Sequence, residues 1–375
     1  MIIKTITCHD VYNYGASLQA YALSKYLVKL GHNVEIIDYK PQYLCGHFSL
    51  LGVPNPRYSK PLLSLAYQTV KFPTRLRARL GKRKKEFDTF RRCYLPLTRK
   101  RYTSNDELKN NPPIADIYIA GSDQIWNTLF PNGKDPAFYL DFAKESKVKA
   151  SYAASFSTDS IETQYVDQIS QYLNNLDFIS VREKSAVSLA ETICNKHVEN
   201  VLDPIFLLNK SQWSSIEQKI DCLEPYLLVY DFDGNTSIKE KAINIAQKNN
   251  LKIYSLFSSD YCDRCFYNEG PLSFVSLIHH AKYVVSNSFH ATAFAILFRI
   301  PYLVVDRSEK INIRMKDLVD VFGLSMENNL YNDSFEKRYN EEVRKSKEYI
   351  RTILDVAERR ADESYCFSNN TCLQC

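Results

Sequence analysis

Apolar residues recur along the first forty residues with the spacing of a strand, then a helix, then a second strand. The segment "MIIKTITC" has the pattern of a buried strand, and "HNVEIIDYK" places Val34, Ile36 and Ile37 in another. Between them lies a helical segment that ends at Gly31. The apolar face of that helix consists of Leu18, Ala22, Leu23, Leu27 and Leu30. This pattern predicts one βαβ unit, whose parallel strands normally place ligands at their carboxyl ends.

The rest of the chain continues in the same order, with one interruption. Residues 41–112 show no clear strand pattern, and we interpret them as an insertion of loops and helices. Apolar strands followed by small or polar residues then recur in "ADIYIAGSDQIWN", "KVKASYAASFS" and "DFISVREKSA", and a second series begins with "PYLLVYDFD". The order predicts an α/β fold with two Rossmann-like domains facing a cleft.

The domain limits follow from this division. We place an N-terminal Rossmann-like domain at residues 1–208, with the basic insertion at about 41–112, and a C-terminal Rossmann-like domain at 209–345. Residues 346–375 are interpreted as a charged helix that crosses back over the first half, followed by a tail. A chain of 375 residues is long enough for two domains that each bury a core of their own.

Composition limits the class of protein. The chain is 45% hydrophobic and 24% charged, which is typical of a soluble globular protein. It contains no apolar run of the roughly 18 residues that a membrane span needs. Its N-terminus lacks the basic start and long apolar core of a secretory signal. We therefore expect a cytoplasmic protein.

Positive charge is concentrated in one segment. The net charge is only +5, yet residues 71–101 carry thirteen Lys or Arg against Glu86 and Asp88. An amphipathic helix with a solvated basic face is one interpretation, since apolar residues recur there at helical spacing, namely Leu76, Leu80, Phe87 and Phe90. The other is attraction to anionic lipid headgroups or to a diphosphate-linked substrate. No nucleic-acid motif accompanies the charge, so we expect no nucleic-acid partner.

The ten cysteines are scattered and are expected to be reduced thiols. Two pairs have the spacing of zinc ligands, Cys262 with Cys265 and Cys372 with Cys375. The long gap between the pairs favours incidental thiols in a loop and at a terminus. We expect no metal ion and no cofactor.

Two loops after predicted strands carry candidate binding residues. Asn13, Tyr14 and Gly15 open the first helix, whose free amides favour an anion or a sugar hydroxyl, although a plain glycine turn is the alternative. In "GSDQIWN", Asp123 lies between Ser122 and Gln124 after a buried strand. Asp123 could act as a base on a substrate hydroxyl, or it could cap the following turn.

Two further strand ends carry a cation and a histidine. Arg182 directly follows the apolar "FISV", which suits bidentate binding of a phosphate or carboxylate. A surface salt bridge with Glu183 or Asp203 is the alternative. His290 follows "SNSF" and precedes small residues at a predicted helix N-terminus, where a ligand can approach closely. A lone histidine in such a place is either catalytic or structural.

Taken together, these segments resemble the polysaccharide pyruvyl transferase family. The resemblance is carried by an ordered set of motifs from residue 13 to about 324. They are "NYGASLQAYAL", "GSDQIWN", "ASYAASFS", "SVREKSA", "LDPIFLL", "SNSFHATAFAILFRIPYLVV" and "INIRMKDLVDVFGL". The order of the set, rather than any one motif, makes the resemblance specific.

The resemblance implies a fold similar to that of the two-domain B-type glycosyltransferases (GT-B). It also implies a reaction in which phosphoenolpyruvate, as a co-substrate, donates its carboxyvinyl carbons to a sugar. The product is a cyclic pyruvate ketal across two hydroxyls, and phosphate is released. Such a site needs an acid, a base and cations for a triply anionic donor. The acceptor implied is a precursor of a capsule, exopolysaccharide or cell-wall polymer, linked to a lipid diphosphate at the inner face of the membrane.

By matching position, the resemblance implies that Arg182 binds the donor and that His290 is the general acid or a phosphate ligand. Asp123 would orient or deprotonate the acceptor hydroxyl. Many members of the family have Arg two residues before the histidine, whereas this chain has Ser288 there. The residues expected to replace that cation are the helix amides with Ser288 and Asn287, or the side chains of Arg314 and Lys184.

Two other functions remain open from the sequence. One is a nucleotide-sugar glycosyltransferase of the same fold, since an arginine and a helix N-terminus also bind diphosphates. The other is a glycan-binding protein that has lost catalysis together with the missing arginine. For the pyruvyl transferase, the residues expected to bind the acceptor are the loop residues Asn13, Tyr14, Gly15, Ser122 and Gln124.

Overall fold

The structure is a computed structural model, and it describes residues 1–44, 80–221, 224–306, 313–327 and 330–371. No helix in these ranges is both long and apolar enough to cross a membrane.

The first half is built on a five-stranded parallel sheet. Its strands are β1 (Ile2–Ile6), β2 (Asn33–Tyr39), β3 (Leu97–Tyr102), β4 (Ile117–Ala120) and β5 (Val148–Ser151). The spatial order is β3-β2-β1-β4-β5, with Ile3 of β1 opposite Val34 of β2 on one side and Ile117 of β4 on the other. A short parallel pair, β6 (Ser180–Val181) and β7 (Glu199–Asn200), continues beyond β5.

Helices cover this sheet as the βαβ pattern predicts. They are α1 (Tyr14–Lys29), α2 (Lys82–Tyr94), α3 (Asn105–Asn110), α4 (Thr163–Asn174) and α5 (Ser185–Cys194). Leu18, Leu23 and Leu27 of α1 are buried against the sheet. The apolar face predicted from the sequence is therefore the face that packs in the core.

Strand β3 corrects the sequence prediction that residues 41–112 contain only loops and helices. It is the edge strand beside β2, and Arg99, Lys100 and Arg101 on it are exposed. Charged side chains protect an edge strand from pairing with another chain, and they also hide its apolar pattern. The amphipathic helix predicted in the basic segment is α2, which buries Phe87 and Phe90. Leu80 is 72% exposed, and Leu76 lies outside the described residues.

The second half repeats the same strand order. Its strands are β8 (Tyr226–Tyr230), β9 (Lys252–Ser255), β10 (Arg264–Cys265), β11 (Tyr283–Ser286) and β12 (Tyr302–Val304), all parallel in the order β10-β9-β8-β11-β12. Its helices are α6 (Lys210–Ser214), α7 (Thr236–Asn249), α8 (Pro271–His279), α9 (Phe289–Phe298) and α10 (Ile313–Val321). Two sheets with the same Rossmann order confirm the prediction of two Rossmann-like domains. The residue limits given for the domains stay predictions.

The two halves share a hydrophobic core. Tyr14 of α1 stacks on Phe274 of α8 with ring centroids 4.7 Å apart. Trp213 of α6 lies 5.7 Å from Tyr21 and 4.8 Å from Phe294 by the same measure. These contacts bring the carboxyl ends of the first sheet towards the start of α9.

The last helix of the described chain, α11 (Asp333–Thr371), is long and packs against the first half. The Tyr349 hydroxyl donates to the Ser151 carbonyl of β5 at 2.9 Å, and Ser346 Oγ accepts from the Leu202 amide at 2.9 Å. Since α11 follows the second sheet in sequence, it joins the two halves a second time.

Candidate functional site

The candidate site lies where strands of the first sheet end and helix α9 of the second half begins. Four residues other than glycine adopt the left-handed conformation after these strands, with φ of 53° at Tyr12, 72° at Asp123, 50° at Ala153 and 59° at Ser157. Such conformations cost free energy and concentrate at functional sites. The loops at this edge are therefore held in unusual shapes by the surrounding structure.

His290 occupies the second position of α9, and its imidazole lies over the start of α1. A Cβ added to Gly15 would be 2.0 Å from His290 Nδ1, so the ring fits only because residue 15 has no side chain. His290 is 8% exposed. The structure thus uses Gly15 to admit a histidine from the other half of the chain.

Asp203 links this histidine to Arg182. Its Oδ2 lies 3.5 Å from His290 Nε2 and 2.9 Å from Arg182 Nη1, while its Oδ1 accepts a hydrogen bond from the Ile205 amide at 3.1 Å. Asp203 is 1% exposed, which means that both of its oxygens are committed to protein groups. The carboxylate accepts a hydrogen bond from the guanidinium, whereas His290 Nε2 has no hydrogen-bond partner among the described residues and lies beside the carboxylate at ion-pair distance.

Arg182 is a buried cation surrounded by carboxylates. Besides Asp203, its Nε donates to Glu183 Oε1 at 3.2 Å, and its Nη1 lies 3.7 Å from Asp123 Oδ1. The guanidinium sits 4.0 Å from the ring centroid of Phe289. Among the described residues its Nη2 has no hydrogen-bond partner. Arg182 therefore does form ion pairs with Glu183 and Asp203, as the alternative prediction had it, but these pairs are buried and not on the surface. Its Nη2 remains without a hydrogen-bond partner among the described residues.

Charges around the cluster set its protonation. Burial by itself raises the pKa of Asp203, but His290 and Arg182 outweigh it, and the pKa is lowered from its usual range. Burial lowers the pKa of Arg182, yet Glu183, Asp203 and Asp123 reverse the effect and raise it. Asp203 is therefore a carboxylate, and Arg182 is a guanidinium at every physiological pH.

Glu183 extends the cluster towards the loop after β5. Ser155 Oγ donates to Glu183 Oε1 at 2.6 Å and lies 2.9 Å from Ser157 Oγ. Glu183 is 3% exposed, and its Oε2 has no partner in the part of the chain that the structure describes. These contacts fix Glu183 beside Arg182.

A small pocket adjoins Arg182. Lys184, Asp203, Phe289, Arg314 and Asp317 are among the residues that line it, and it has space of about 20 Å³. Asp317 Oδ2 accepts from the amide of Ser185 at 2.9 Å, which ties helix α10 to the start of helix α5. The pocket thus brings Arg182 together with both cations named from the sequence as replacements for the family arginine.

Other predicted residues have structural contacts. Asn13 Oδ1 accepts from the Ala16 amide at 3.2 Å and caps α1. Tyr14 is 1% exposed, and its hydroxyl donates to the Glu269 carbonyl at 3.1 Å. Tyr14 is thus buried between the two halves, and Asn13 makes the contact of an ordinary helix cap.

The loop after β4 is held by buried hydrogen bonds. Gln19 Oε1 accepts from the Ser122 amide at 3.0 Å, and Ser122 Oγ donates to the Ala153 carbonyl at 2.5 Å. A Cβ at Gly121 would lie 2.1 Å from the Tyr152 carbonyl oxygen, so only glycine fits there. Asp123 itself has 16% of its side chain exposed, which leaves it reachable. Ser122 positions Asp123 and is itself fully buried.

Gln124 stays within the same loop. Its side-chain oxygen accepts from Asn127 Nδ2 at 3.0 Å, and its carbonyl accepts from Asn132 Nδ2 at 2.6 Å. Its contacts shape the loop, and the predicted acceptor role has no further support from them.

Asn287 and Ser288 hold the start of α9. Ser288 is the helix cap, with its side chain accepting from the Ala291 amide at 3.5 Å. Asn287 Oδ1 accepts from the Phe232 amide and its Nδ2 donates to Asp231 Oδ1, each at 3.1 Å. Both side chains therefore order the turn before His290.

One of the two cysteine pairs with zinc spacing, Cys262 and Cys265, lies within the described residues. Cys262 and Cys265 are free thiols, and burial raises the pKa of Cys262. Cys372 and Cys375 lie outside the described residues, so their zinc spacing stays a sequence observation.

Three residues of the cluster were not selected from the sequence as site residues, namely Asp203, Glu183 and Gln19. Asp203 directly follows the apolar pair Val201 and Leu202, the same kind of signal that singled out Arg182. Gln19 lies inside a helix, where no sequence pattern distinguishes it from a surface residue. Its role depends on contacts with Thr7, at 2.9 Å, and Ser122 across the sheet edge.

Fold and site together define a two-domain α/β protein with a buried acid, arginine and histidine cluster at its cleft. A family model described as polysaccharide pyruvyl transferase matches residues 13–309. Because the match covers most of the sequence, the chain belongs to the polysaccharide pyruvyl transferase family. No curated protein matches the chain significantly.

Several solved structures have a similar arrangement. The UDP-GlcNAc 2-epimerase of Methanocaldococcus jannaschii is 14% identical, with a TM-score of 0.45 over 92% of this chain and 99% of that one. The UDP-N-acetylglucosamine 2-epimerase of Rickettsia bellii is 11% identical, with a TM-score of 0.48 over 96% and 97%. The glycosyltransferase of kitacinnamycin is 9% identical, with a TM-score of 0.45 over 96% and 98%. Similarity at this level carries no information about the reaction of this chain.

Proposed function

We propose that this protein transfers the enolpyruvyl group of phosphoenolpyruvate to two hydroxyls of one sugar, forming a cyclic pyruvate ketal and releasing phosphate. Membership of the pyruvyl transferase family supports the reaction class. The observation that carries the proposal is the buried chain of His290, Asp203 and Arg182, which places a proton donor beside a cation. An anionic enol donor needs both.

Each residue has one role in the proposed reaction. His290 donates a proton to the donor's methylene carbon, which becomes a methyl group and leaves C2 electrophilic. One sugar hydroxyl attacks C2 and gives its proton to Asp123. The C–O bond to phosphate breaks, and the second hydroxyl attacks C2 and closes the ring. Of the two hydroxyl protons, one restores the acid and the other leaves with phosphate, so the atoms balance. Asp203 is a positioning residue.

Three cations are proposed to hold the donor. Arg182 offers its unpartnered Nη2, and Lys184 and Arg314 line the same pocket. Many family members have an arginine at the position of Ser288, but here Ser288 caps α9 and carries no charge. The three cations together are proposed to replace that arginine. Charge-assisted hydrogen bonds to phosphate and carboxylate are the strong ones in proteins.

Donor binding is proposed to require opening of the cleft. A space of about 20 Å³ holds roughly one water molecule and not a phosphorylated three-carbon acid. His290 and Arg314 come from the second half, whereas Arg182 and Gly15 come from the first. Separation of the halves therefore exposes the cations, and closure brings the imidazole back over Gly15.

The acceptor is proposed to be a sugar of a capsule, exopolysaccharide or cell-wall precursor, carried on a lipid diphosphate at the cytoplasmic face of the membrane. Residues 71–101 would then contact anionic lipid. In the described part of that segment, Lys82 pairs with Glu269, and Arg83 donates to the Tyr14 hydroxyl at 2.6 Å. Lys85 and Arg92 of α2 are exposed, which leaves cations for a surface contact.

The test compares two release reactions. The purified protein is incubated with a panel of lipid-linked or chromogenic glycosides and either phosphoenolpyruvate or nucleotide sugars. We expect inorganic phosphate release only when phosphoenolpyruvate and an accepted glycoside are both present, with the glycoside gaining the mass of one pyruvate minus water. Nucleotide release from a nucleotide sugar would instead identify a glycosyltransferase. Glycoside binding without either release would identify a non-catalytic glycan-binding protein.

A further inference from the structure

Two histidines and a glutamate meet at the end of helix α8, and we propose that they bind a divalent transition-metal ion such as Zn²⁺. The residues are Glu217, which follows α6, with His279 and His280 at the carboxyl end of α8. One ligand atom from each residue lies within 4.8 Å of the others.

The distances suit a metal ion with little rearrangement. His279 Nδ1 lies 3.0 Å from Glu217 Oε2, and His280 Nε2 lies 3.2 Å from Glu217 Oε1. Ligands about 2.1 Å from a tetrahedral zinc ion are about 3.4 Å from one another. The two histidines contact different oxygens of Glu217, so these contacts widen by a few tenths of an ångström and the carboxylate either binds through both oxygens or turns to present one. Two imidazole nitrogens and one carboxylate also form a recurring zinc donor set that leaves a position for water.

The ligands are held by the surrounding structure. The ring of His279 stacks on Phe298 with centroids 4.2 Å apart, which fixes its plane. The side chains of Glu217 and His279 are each 17% exposed, whereas that of His280 is 57% exposed and opens the site to solvent. The last carbonyls of α8 add partial negative charge at the same place, which favours a cation.

The location points to a structural role. His280 precedes β11 and His290 follows it, so the cluster lies at the amino end of this strand and the catalytic cleft at its carboxyl end. Glu217 belongs to the segment that connects the two sheets, and this segment already contacts α8 through the Gln218 amide and the Leu272 carbonyl at 3.4 Å. A bound ion would fasten the connecting segment to the second half.

Metal binding by the full chain tests the proposal. Protein stripped with a chelator is titrated with Zn²⁺ against a chromophoric chelator, and melting temperatures are measured with and without Zn²⁺. We expect wild type to bind one equivalent that Glu217→Gln loses or binds at least about tenfold more weakly, since even the loss of supporting contacts weakens metal sites by 10- to 100-fold. The melting temperature of wild type should rise with Zn²⁺, and that of Glu217→Gln should rise less.

Two further variants keep the result decisive. His280→Gln alters an exposed side chain, so it should fold even if Glu217→Gln does not, and it should weaken binding in the same way. His197→Ala is the matched control, because His197 also lies beside two glutamates, 3.4 Å from Glu191 and 3.0 Å from Glu199, on the protein surface. It should bind as wild type does.

Cobalt identifies the ligands. Co²⁺ held by His279, His280 and Glu217 should give visible d–d bands without a thiolate charge-transfer band. Equal Zn²⁺ affinity in wild type, Glu217→Gln and His280→Gln would overturn the proposal. So would a cobalt spectrum showing thiolate coordination alone, which would assign the metal to cysteines.

Discussion

The imidazole of His290 lies directly over Gly15, so that a Cβ at residue 15 would come within 2.0 Å of Nδ1. The two residues belong to different halves of the chain, and their contact closes the cleft beside Arg182 and Asp203. Because Gly15 in the first half has no side chain, there is room for His290, the proposed acid, from the second half.

Replacing Gly15 tests this contact. We expect Gly15→Ala to lower the free energy of unfolding by about 1 to 3 kcal/mol, because overpacking a filled site costs that much, and to reduce turnover by displacing the ring. In a His290→Ala background the same change should be neutral or stabilising, since alanine exceeds glycine in helix propensity by about 1 kcal/mol. A double-mutant cycle by chemical denaturation measures both. Equal effects in the two backgrounds would show that the residues do not touch.

Replacing Asp203 tests the link between His290 and Arg182. Asp203→Asn keeps the shape and the cap on Ile205 but presents an amide to Arg182 Nη1. We expect a loss of about 3 to 5 kcal/mol in unfolding free energy, because one partner of a buried ion pair is removed, and a fall in kcat of about 100-fold or more. Glu348→Gln, which breaks the exposed pair with Arg344, is the control and should cost less than about 1 kcal/mol. A wild-type kcat in Asp203→Asn would exclude its role in positioning the acid.

The donor cations predict a separate kinetic effect. Lys184→Ala and Arg314→Gln should each raise the KM for phosphoenolpyruvate about tenfold, the equivalent of about 1.4 kcal/mol, with a smaller change in the KM for the glycoside. Lys248→Ala, an exposed lysine on α7, provides the matched loss of charge and should behave as wild type. If the KM for phosphoenolpyruvate were unchanged in both variants, Lys184 and Arg314 would not bind the donor and the prediction would be wrong.

Acid stability depends on Asp38. Burial raises its pKa, but hydrogen bonds from His9 at 3.2 Å and Arg101 at 2.9 Å lower it from 3.8 to about 2. A carboxylate with a depressed folded-state pKa stabilises the fold above its unfolded pKa, and the stabilisation is lost as pH falls through the folded value. Between pH of about 4 and 2, wild type should therefore lose about 2 kcal/mol more stability than Asp38→Asn. Urea unfolding across that range measures the difference, and parallel acid limbs would contradict it.

Helices and strands with a regular apolar period could be predicted from the sequence, whereas an element that depends on tertiary contacts was missed. The spacing of Leu18, Leu23 and Leu27 predicted α1, because one buried helix face has a fixed period. Strand β3 was missed, since exposed cations on an edge strand erase the alternation of apolar and polar residues. Nothing local to residues 97–102 reveals that they pair with β2.

The contacts within the candidate site could not be predicted from the sequence. Arg182, His290 and Asp123 each follow a strand, and parallel sheets bring such positions together. Asp203 contacts both Arg182 and His290, and its contact with His290 depends on how the two halves pack. Gly15 was interpreted as part of a helix N-terminus that favours an anion or a sugar hydroxyl, and its contact with His290 was not predicted because it depends on how the two halves pack.

The central claim is that His290, held by Asp203, protonates the methylene carbon of phosphoenolpyruvate while a sugar receives the pyruvate as a ketal. Mass spectrometry of an accepted glycoside after reaction in H₂O and in D₂O tests it most directly, with wild type and His290→Gln side by side. We predict that the wild-type product gains one pyruvate minus water, carries one deuterium in its methyl group when made in D₂O, and forms at least about 100-fold more slowly in His290→Gln. Ketal formation by His290→Gln at the wild-type rate, or no ketal from wild type with any glycoside in the panel, would contradict the account.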